Sequence, residues 1–374
     1  MITVKEAKTR KEIKEFVEFP NKLYKDNPYY SPCTTSDEIK DLLPETNPAF
    51  EYCEAKVLMA YKDGELVGRM CAIINHAYNK KWNKKRIRFN RFDVIDDIEV
   101  TKALVEYTKK WGRENGLNEI TGPIGFCDMD KQGLLVEGFD ELDMYITAYN
   151  ADYYMKHLEA LGFVKDADWV EFLLSVPEEL DPRIVKVADG MMRRGNLHEH
   201  PFKKIKEILP RVDEIFALLN QAYAGLYGTV ELNSGQVQFY KDHYISMLDP
   251  DYVSVILNEN DEIVGFGAAI PSMAKAMQKA KGRYFPFGWI HMLKALAKND
   301  TIELLLVAVR DDYRNKGVNA MLISKIYRNA VKNGIKFAET GPELELNDKV
   351  QSQWKNFDAR QHKRRRCYVA PIEE

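Results

Sequence analysis

The chain has 374 residues, more than one compact core usually takes, so two domains are the starting expectation. Its 54 Lys and Arg against 57 Asp and Glu leave a net charge of −3, which excludes an overall electrostatic attraction to nucleic acid and predicts none as a partner. Five scattered cysteines without a C-x-x-C pair argue against a zinc site or a disulfide framework and fit a reducing, cytoplasmic setting.

The first residues are charged from Lys5 onward and lack the apolar core of a secretory signal. No apolar run is long enough to span a bilayer. Asp63-Gly64-Glu65-Leu66-Val67-Gly68 then lies between apolar runs at 57–61 and 70–74, the pattern of a β-hairpin closed by a tight turn. Residues 102–115 read as an amphipathic helix with Leu104, Val105, Thr108 and Trp111 on one stripe, stopped by Gly116 and leading into Thr121-Gly122-Pro123.

The same order returns. Asn260-Asp261-Glu262-Ile263-Val264-Gly265 sits between the runs 253–257 and 266–270. Residues 318–333 carry Val318, Leu322, Ile326 and Ala330 on one stripe, are stopped by Gly334 and lead into Thr340-Gly341-Pro342. Hairpin, strand, helix, strand, twice, predicts a duplicated α/β domain with at least one parallel strand pair in each copy. The Pro-rich stretch from 174 to 202 places the boundary, giving expected domains at 1–176 and 177–374.

Chemistry concentrates in the second copy. Leu304 to Val309 is a continuous apolar run, as in a strand buried on both faces. After a polar turn a helix is expected to start near Lys316. Its first backbone N–H groups have no partner within the helix, and with the dipole behind them they suit a pyrophosphate. Gly317 lets the phosphate approach the backbone, and Arg314 and Lys316 add positive charge at the rim. The first copy instead places Asp96, Asp97 and Glu99 at the corresponding helix start, where carboxylates cap the helix and repel an anion.

Strand, Arg314-x-x-Gly317-x-Asn319 and helix together resemble the GNAT superfamily of acyl-CoA-dependent N-acyltransferases. Asn319 departs from the small residue expected there. Asn150 to Leu161-Gly162-Phe163 resembles the closing motif of the family in the first copy. The resemblance implies two tandem GNAT-like domains, each a mixed splayed sheet flanked by helices, the first degenerate. It implies that pantetheine pairs along Val307 to Val309 and that the pyrophosphate rests on Asn315, Lys316, Gly317, Val318 and Asn319. Acetyl-CoA or another acyl-CoA is the implied cosubstrate, and a small-molecule or peptide primary amine the acceptor, with no metal.

Glu303, six residues before Val309, holds the place where such enzymes position a general base, a solvated strand end being the plainer reading. The family's Tyr acid, seven residues after a helix-opening Asn, corresponds to Trp354 after Asn347, which has no acidic proton to give. A non-catalytic acyl-CoA sensor or scaffold therefore stays open. So does an aminoacyl-tRNA-dependent ligase, supported only by the basic runs 80–86 and 362–366, for which a solvated loop or strand end is the plainer reading. The stretch 272–299, with its aromatic cluster and lysines, is expected to pack over the C-terminal domain or a partner chain, as in a homodimer, rather than enter lipid.

Overall fold

The computed structural model describes residues 1–373, and for residues 183, 184, 187 and 349 the backbone only. The first half runs β1 (Ile2–Glu6), α1 (Arg10–Leu23), α2 (Thr35–Asp41), β2 (Cys53–Lys62), β3 (Glu65–Asn75), α3 (His76–Trp82), β4 (Arg86–Val94), α4 (Ile98–Glu114), β5 (Glu119–Gly122), β6 (Leu134–Glu137), α5 (Tyr153–Ala160) and β7 (Val164–Ser175). The second runs α6 (Pro182–Arg194), β8 (His198–Glu199), α7 (Val212–Tyr223), α8 (Ser234–Tyr244), β9 (Val253–Leu257), β10 (Ile263–Pro271), α9 (Ala274–Ala280), α10 (Gly288–Ala297), β11 (Thr301–Val309), α11 (Val318–Lys332), β12 (Phe337–Thr340), β13 (Glu343–Leu344), α12 (Asp348–Gln351) and β14 (Ala359–Pro371).

Both hairpins form. β2 and β3 turn through Asp63 and Gly64, at φ 53° and 89°, left-handed conformations that Asp tolerates and Gly adopts freely. The helical stripes are buried as well: Leu104, Val105, Thr108 and Trp111 on α4, and Val318, Leu322, Ile326 and Ala330 on α11. In each half a hairpin strand pairs antiparallel with the next strand, which pairs parallel with the strand ending in Thr-Gly-Pro. This is the mixed α/β arrangement expected, built twice.

The two sheets are continuous and exchange their closing strands. The order is β1-β2-β3-β4-β5-β14-β7-β12-β11-β10-β9-β8. β14, from the end of the chain, pairs antiparallel with β5 of the first half, while β7, from the first half, pairs antiparallel with β12 of the second. The two exchanged strands also pair with each other over a long ladder, Ala359–Leu174 to Val369–Val164.

The basic run 362–366 therefore lies in the middle of the sheet, not in a solvated loop. Lys363 and Arg365 are buried. Arg365 Nε donates to Glu171 Oε1 at 2.5 Å and Nη2 to Asp143 Oδ1 at 3.1 Å, while Lys363 pairs with Glu339. Run 80–86 is likewise engaged. Trp82 Nε1 donates to the Thr229 carbonyl at 2.9 Å, and Arg86 pairs with Glu119 at 2.6 Å and Asp166 at 2.7 Å. Run 362–366 and the Trp82 contact tie the halves together, while Lys80, Lys81, Lys84 and Lys85 stay exposed.

The 272–299 stretch also departs from expectation. Its α9 packs on the first half: Thr35 N donates to the Gly282 carbonyl at 2.9 Å, and Gln278 Nε2 to the carbonyls of Pro28 and Tyr30 at 2.8 and 3.0 Å. No described helix is long and apolar enough to cross a membrane.

Candidate functional site

β11 opens away from β12. The two strands pair only from Thr301–Phe337 to Leu304–Thr340, and the last bond across the gap runs from Gly341 N to the Leu304 carbonyl at 2.9 Å. A bulge at this point, where Ala268 faces Leu306 and Ala269 faces Leu304, bends β11 and leaves Leu305 as the extra residue. Beyond it, the edge of β11 has no neighbouring strand. The hydroxyl of Tyr223, from α7, takes up that edge instead, donating to the Val307 carbonyl at 3.1 Å and accepting from Val307 N at 3.4 Å. A backbone edge that accepts a side-chain hydroxyl can equally accept the amides of an extended ligand.

At the end of this edge stands the start of α11. Gly317 is at φ 80°, a left-handed conformation that favours glycine, and a Cβ there would require the flexible Met191 side chain of α6 to shift. The amides of Gly317, Val318, Asn319 and Ala320 have no acceptor among the described residues, as at any open helix start that could face an anion. The amide of Lys316 is spent on the Tyr313 carbonyl at 3.3 Å, and its ammonium lies 4.6 Å from the centre of the Tyr313 ring. Arg314 is exposed and pairs with Asp311 at 2.7 Å. The helix begins at Val318, with Gly317 as its N-cap, near Lys316 as expected.

A cavity of about 1460 Å³ joins these parts. Val307, Val309, Arg314, Asn315, Gly317, Val318 and Asn319 all line it, whereas Lys316 and Glu303 do not. It passes through the splay to both sheet faces: Ile215, Leu219 and Phe266 wall the α7 side, and Leu322, Ile326 and Trp354 the α11 side. The wall is largely apolar. Among the described residues, five buried side-chain oxygens that face no partner belong to this wall: Asp128 Oδ1, Gln132 Oε1, Asn319 Oδ1, Glu343 Oε2 and Gln353 Oε1.

Glu303 is not a solvated strand end. It is fully buried, and burial followed by the neighbouring Glu339 charge pushes its carboxyl up to about 8, while Ser272 and the Tyr145 amide oppose the shift. It sits beneath the 143–147 segment rather than on the cavity surface.

Glu343 escaped the sequence reading. It follows Thr340-Gly341-Pro342 directly, lines the cavity and accepts from Trp354 Nε1 at 2.8 Å. Burial pushes it up to about 7, with the Trp354 bond opposing. The signal was present in the repeat, because the equivalent position after Thr121-Gly122-Pro123 is Ile124. Tyr223 lies outside both repeated motifs, which is why pattern reading passed over it.

The first half keeps the geometry without the site. Asp97 caps α4 through Glu99 N at 3.0 Å and pairs with Lys62 at 2.7 Å, placing a carboxylate at the helix start. Ile87 faces Ile120 where Glu303 faces Glu339. The strand edge at Val94 is closed by Tyr153 and Tyr154, whose hydroxyls reach its carbonyl at 2.6 and 3.1 Å. Elsewhere among the described residues, Glu171, Glu339 and His362 are near enough to face one ion, but the Lys363 ammonium pairs with both carboxylates there.

Residues 212–354 match the family described as Acetyltransferase (GNAT) family. Protein YghO of Escherichia coli (strain K12) is 26% identical over 370 residues, covering 97% of this chain and 94% of that protein. A bacterial ceramide synthase of Caulobacter vibrioides is 25% identical over 299 residues, covering 78% of this chain and 76% of that protein. Among solved structures, a tandem GNAT protein from the clavulanic acid biosynthesis pathway aligns over 100% of this chain and 99% of its own, with a TM-score of 0.59 and 10% identity. A GCN5-related N-acetyltransferase from Sphaerobacter thermophilus aligns over 100% and 96%, with a TM-score of 0.52 and 10% identity. At such identities the structural likeness establishes the fold alone.

Proposed function

We propose that this tandem GNAT protein transfers an acyl group from acyl-CoA to a primary amine in the cavity of its second half, and that the acyl chain is longer than acetyl. The observation that carries the proposal is one continuous space of about 1460 Å³ that runs from the free edge of β11 to the open amides of α11. Ligand sites commonly occupy about 300–1,000 Å³. A two-carbon acyl group on pantetheine leaves most of this apolar volume unfilled, whereas a long chain fills it. The relative named bacterial ceramide synthase points the same way.

The chain's own groups supply the rest of the reaction. Pyrophosphate lies on the amides of residues 317–320, and pantetheine displaces the Tyr223 hydroxyl from Val307. The amine nitrogen attacks the thioester carbon, the C–N bond forms, and the C–S bond breaks with its electron pair on sulfur. The amine must shed a proton, and Glu303 is the base in its ionised form, whose share grows as pH rises toward 8, reached through water or by displacement of the 143–147 segment. The leaving thiolate needs a proton, which Trp354 lacks. Glu343, held by the Trp354 indole and raised to about 7, carries one into neutral solution and is the acid. The enclosed position of Glu303 favours one second reading, an acyl-CoA-binding sensor without turnover.

Thiol release measured with an amine panel and acyl-CoAs of increasing chain length tests the proposal. kcat/KM should rise from acetyl-CoA to long-chain acyl-CoA. Glu303→Gln should lower kcat by about 10²–10⁴-fold while CoA affinity stays within a few-fold. Equal or better use of acetyl-CoA rejects the long chain. Tight CoA binding with no release across the panel moves the protein to the sensor reading.

A further inference from the structure

We infer that the tip formed by 281–298 is a docking surface for an anionic lipid bilayer. Of the ten large apolar side chains left exposed among the described residues, five fall within residues 284–293: Tyr284, Phe285, Phe287, Trp289 and Leu293. Phe285 and Phe287 are 80% and 67% exposed, and of the ten residues of α10 only Gly288 is buried. Scattered exposed apolar residues need no explanation, but five within ten residues of one element do.

The base of this element is fixed, so the cluster is held outward rather than left loose. Met273, Ala274, Ala276 and Met277 are buried, Arg283 pairs with Glu18 at 2.8 Å, and the Tyr284 hydroxyl donates to Asp37 at 3.1 Å. Trp289 Nε1 donates to the Pro286 carbonyl at 3.1 Å, which ties the half-exposed indole to the loop.

Charge decides between lipid and another occupant. Residues 272–299 contain six Lys and Arg and no Asp or Glu, in a chain whose net charge is −3, so the remainder is acidic and this tip is its basic pole. Lys275 and Arg283 are paired, with Asp300 and Glu18. Lys279, Lys281, Lys294 and Lys298 are exposed and have no carboxylate within ion-pair distance among the described residues. Aromatic side chains at the level of headgroups, ringed by lysines whose stems lie along apolar surface, are the composition that holds a short helix in a bilayer interface.

The tip also stands beside the interior. Asp37, which holds Tyr284, lines a smaller cavity of about 130 Å³ whose wall shares Met129, Asp130, Ile146, Tyr240 and Tyr244 with the large one. Docking here brings a bilayer next to a small cavity that shares a wall with the large apolar one. The inference stands whether or not acyl transfer is the activity.

Flotation of the full chain with phosphatidylcholine vesicles containing roughly 30% phosphatidylglycerol, against pure phosphatidylcholine, tests it. Binding should require the anionic lipid and weaken with salt. Phe285→Ser/Phe287→Ser/Trp289→Ser should lower partitioning at least about tenfold, with circular dichroism, thermal midpoint and CoA affinity unchanged. Phe285→Ser and Phe287→Ser alone, at positions already in solvent, should each lower it in the same direction if the triple variant folds poorly. Lys279→Glu/Lys294→Glu/Lys298→Glu should abolish the preference for anionic vesicles. The inference is overturned if the wild-type chain stays with the unbound fraction at physiological salt, or if the aromatic variants partition equally well. It is also overturned if those variants turn a dimer into a monomer by light scattering, since a second copy is then the occupant.

Discussion

Burying a carboxyl between β10 and β12 has a consequence that can be measured without any substrate. The Glu303 carboxyl is raised from 4.5 to about 8, so between these values the folded chain keeps a proton that the unfolded chain has released. A raised carboxyl contributes its full stability below the unfolded value and loses it as pH climbs through the folded one. Across that window one such group removes about 1.4 kcal/mol per pH unit. Glu303→Gln deletes the titration, so its thermal midpoint should gain on the wild type steadily from pH 5 to pH 8. Parallel midpoint curves for the two proteins would mean that Glu303 titrates near its ordinary value. At this scale the sequence showed that a carboxylate stood six residues before Val309, because spacing along one strand is local. It could not show that the 143–147 segment covers it, since that depends on a loop more than 150 residues away. Glu343 was hidden for a related reason, as only its place on the cavity wall separates it from an ordinary loop carboxylate.

The strand exchange sets what the individual elements must withstand. Hairpins, helical stripes and the Thr-Gly-Pro strand ends were readable because each follows from periodicity and turn chemistry within about fifteen residues. Which strand lies beside which was not, because β7 and β14 each find a partner in the other half and no local pattern records that choice. The basic run 362–366 looked solvated for the same reason, its neutralising groups Asp143, Asp168 and Glu171 being far away in sequence. Arg365 and Glu171 are both fully buried on adjacent strands. Removing one partner leaves the other charge uncompensated, whereas replacing both with apolar residues restores much of the loss. Arg365→Met should therefore cost about 3–5 kcal/mol in denaturant unfolding, and adding Glu171→Met should recover a large part of it. A double variant no better than the single one would assign the cost to lost packing and to Asp143, rather than to the orphaned Glu171.

Across the whole molecule, two copies of one layout share a sheet but divide its tasks. Duplication was legible because the same hairpin and the same strand ending recur in order, and one difference between the copies was legible because Asp97 stands at the helix start where Gly317 stands. The cavity was not legible, since it exists only where β11 and β12 part and where α7 and α11 wall the gap from opposite faces. Structure adds two further differences between the copies: Ile87 in place of Glu303, and a strand edge at Val94 already closed by Tyr153 and Tyr154. These features together predict one CoA per chain. In calorimetry with CoA the stoichiometry should be near one, and Gly317→Glu should abolish binding. That variant puts a side chain at φ 80°, drives it into Met191 and adds a negative charge among the amides proposed to hold the pyrophosphate. Circular dichroism separates this loss from misfolding, and Gly317→Ala provides a milder comparison, carrying the strain without the charge. Asp97→Ala should leave CoA affinity unchanged, because removing one carboxylate from α4 opens neither the closed edge nor a space for pantetheine. Two CoA molecules per chain, or a gain of binding in Asp97→Ala, would show that the first copy retains a site and that its tyrosines act as a gate rather than a plug.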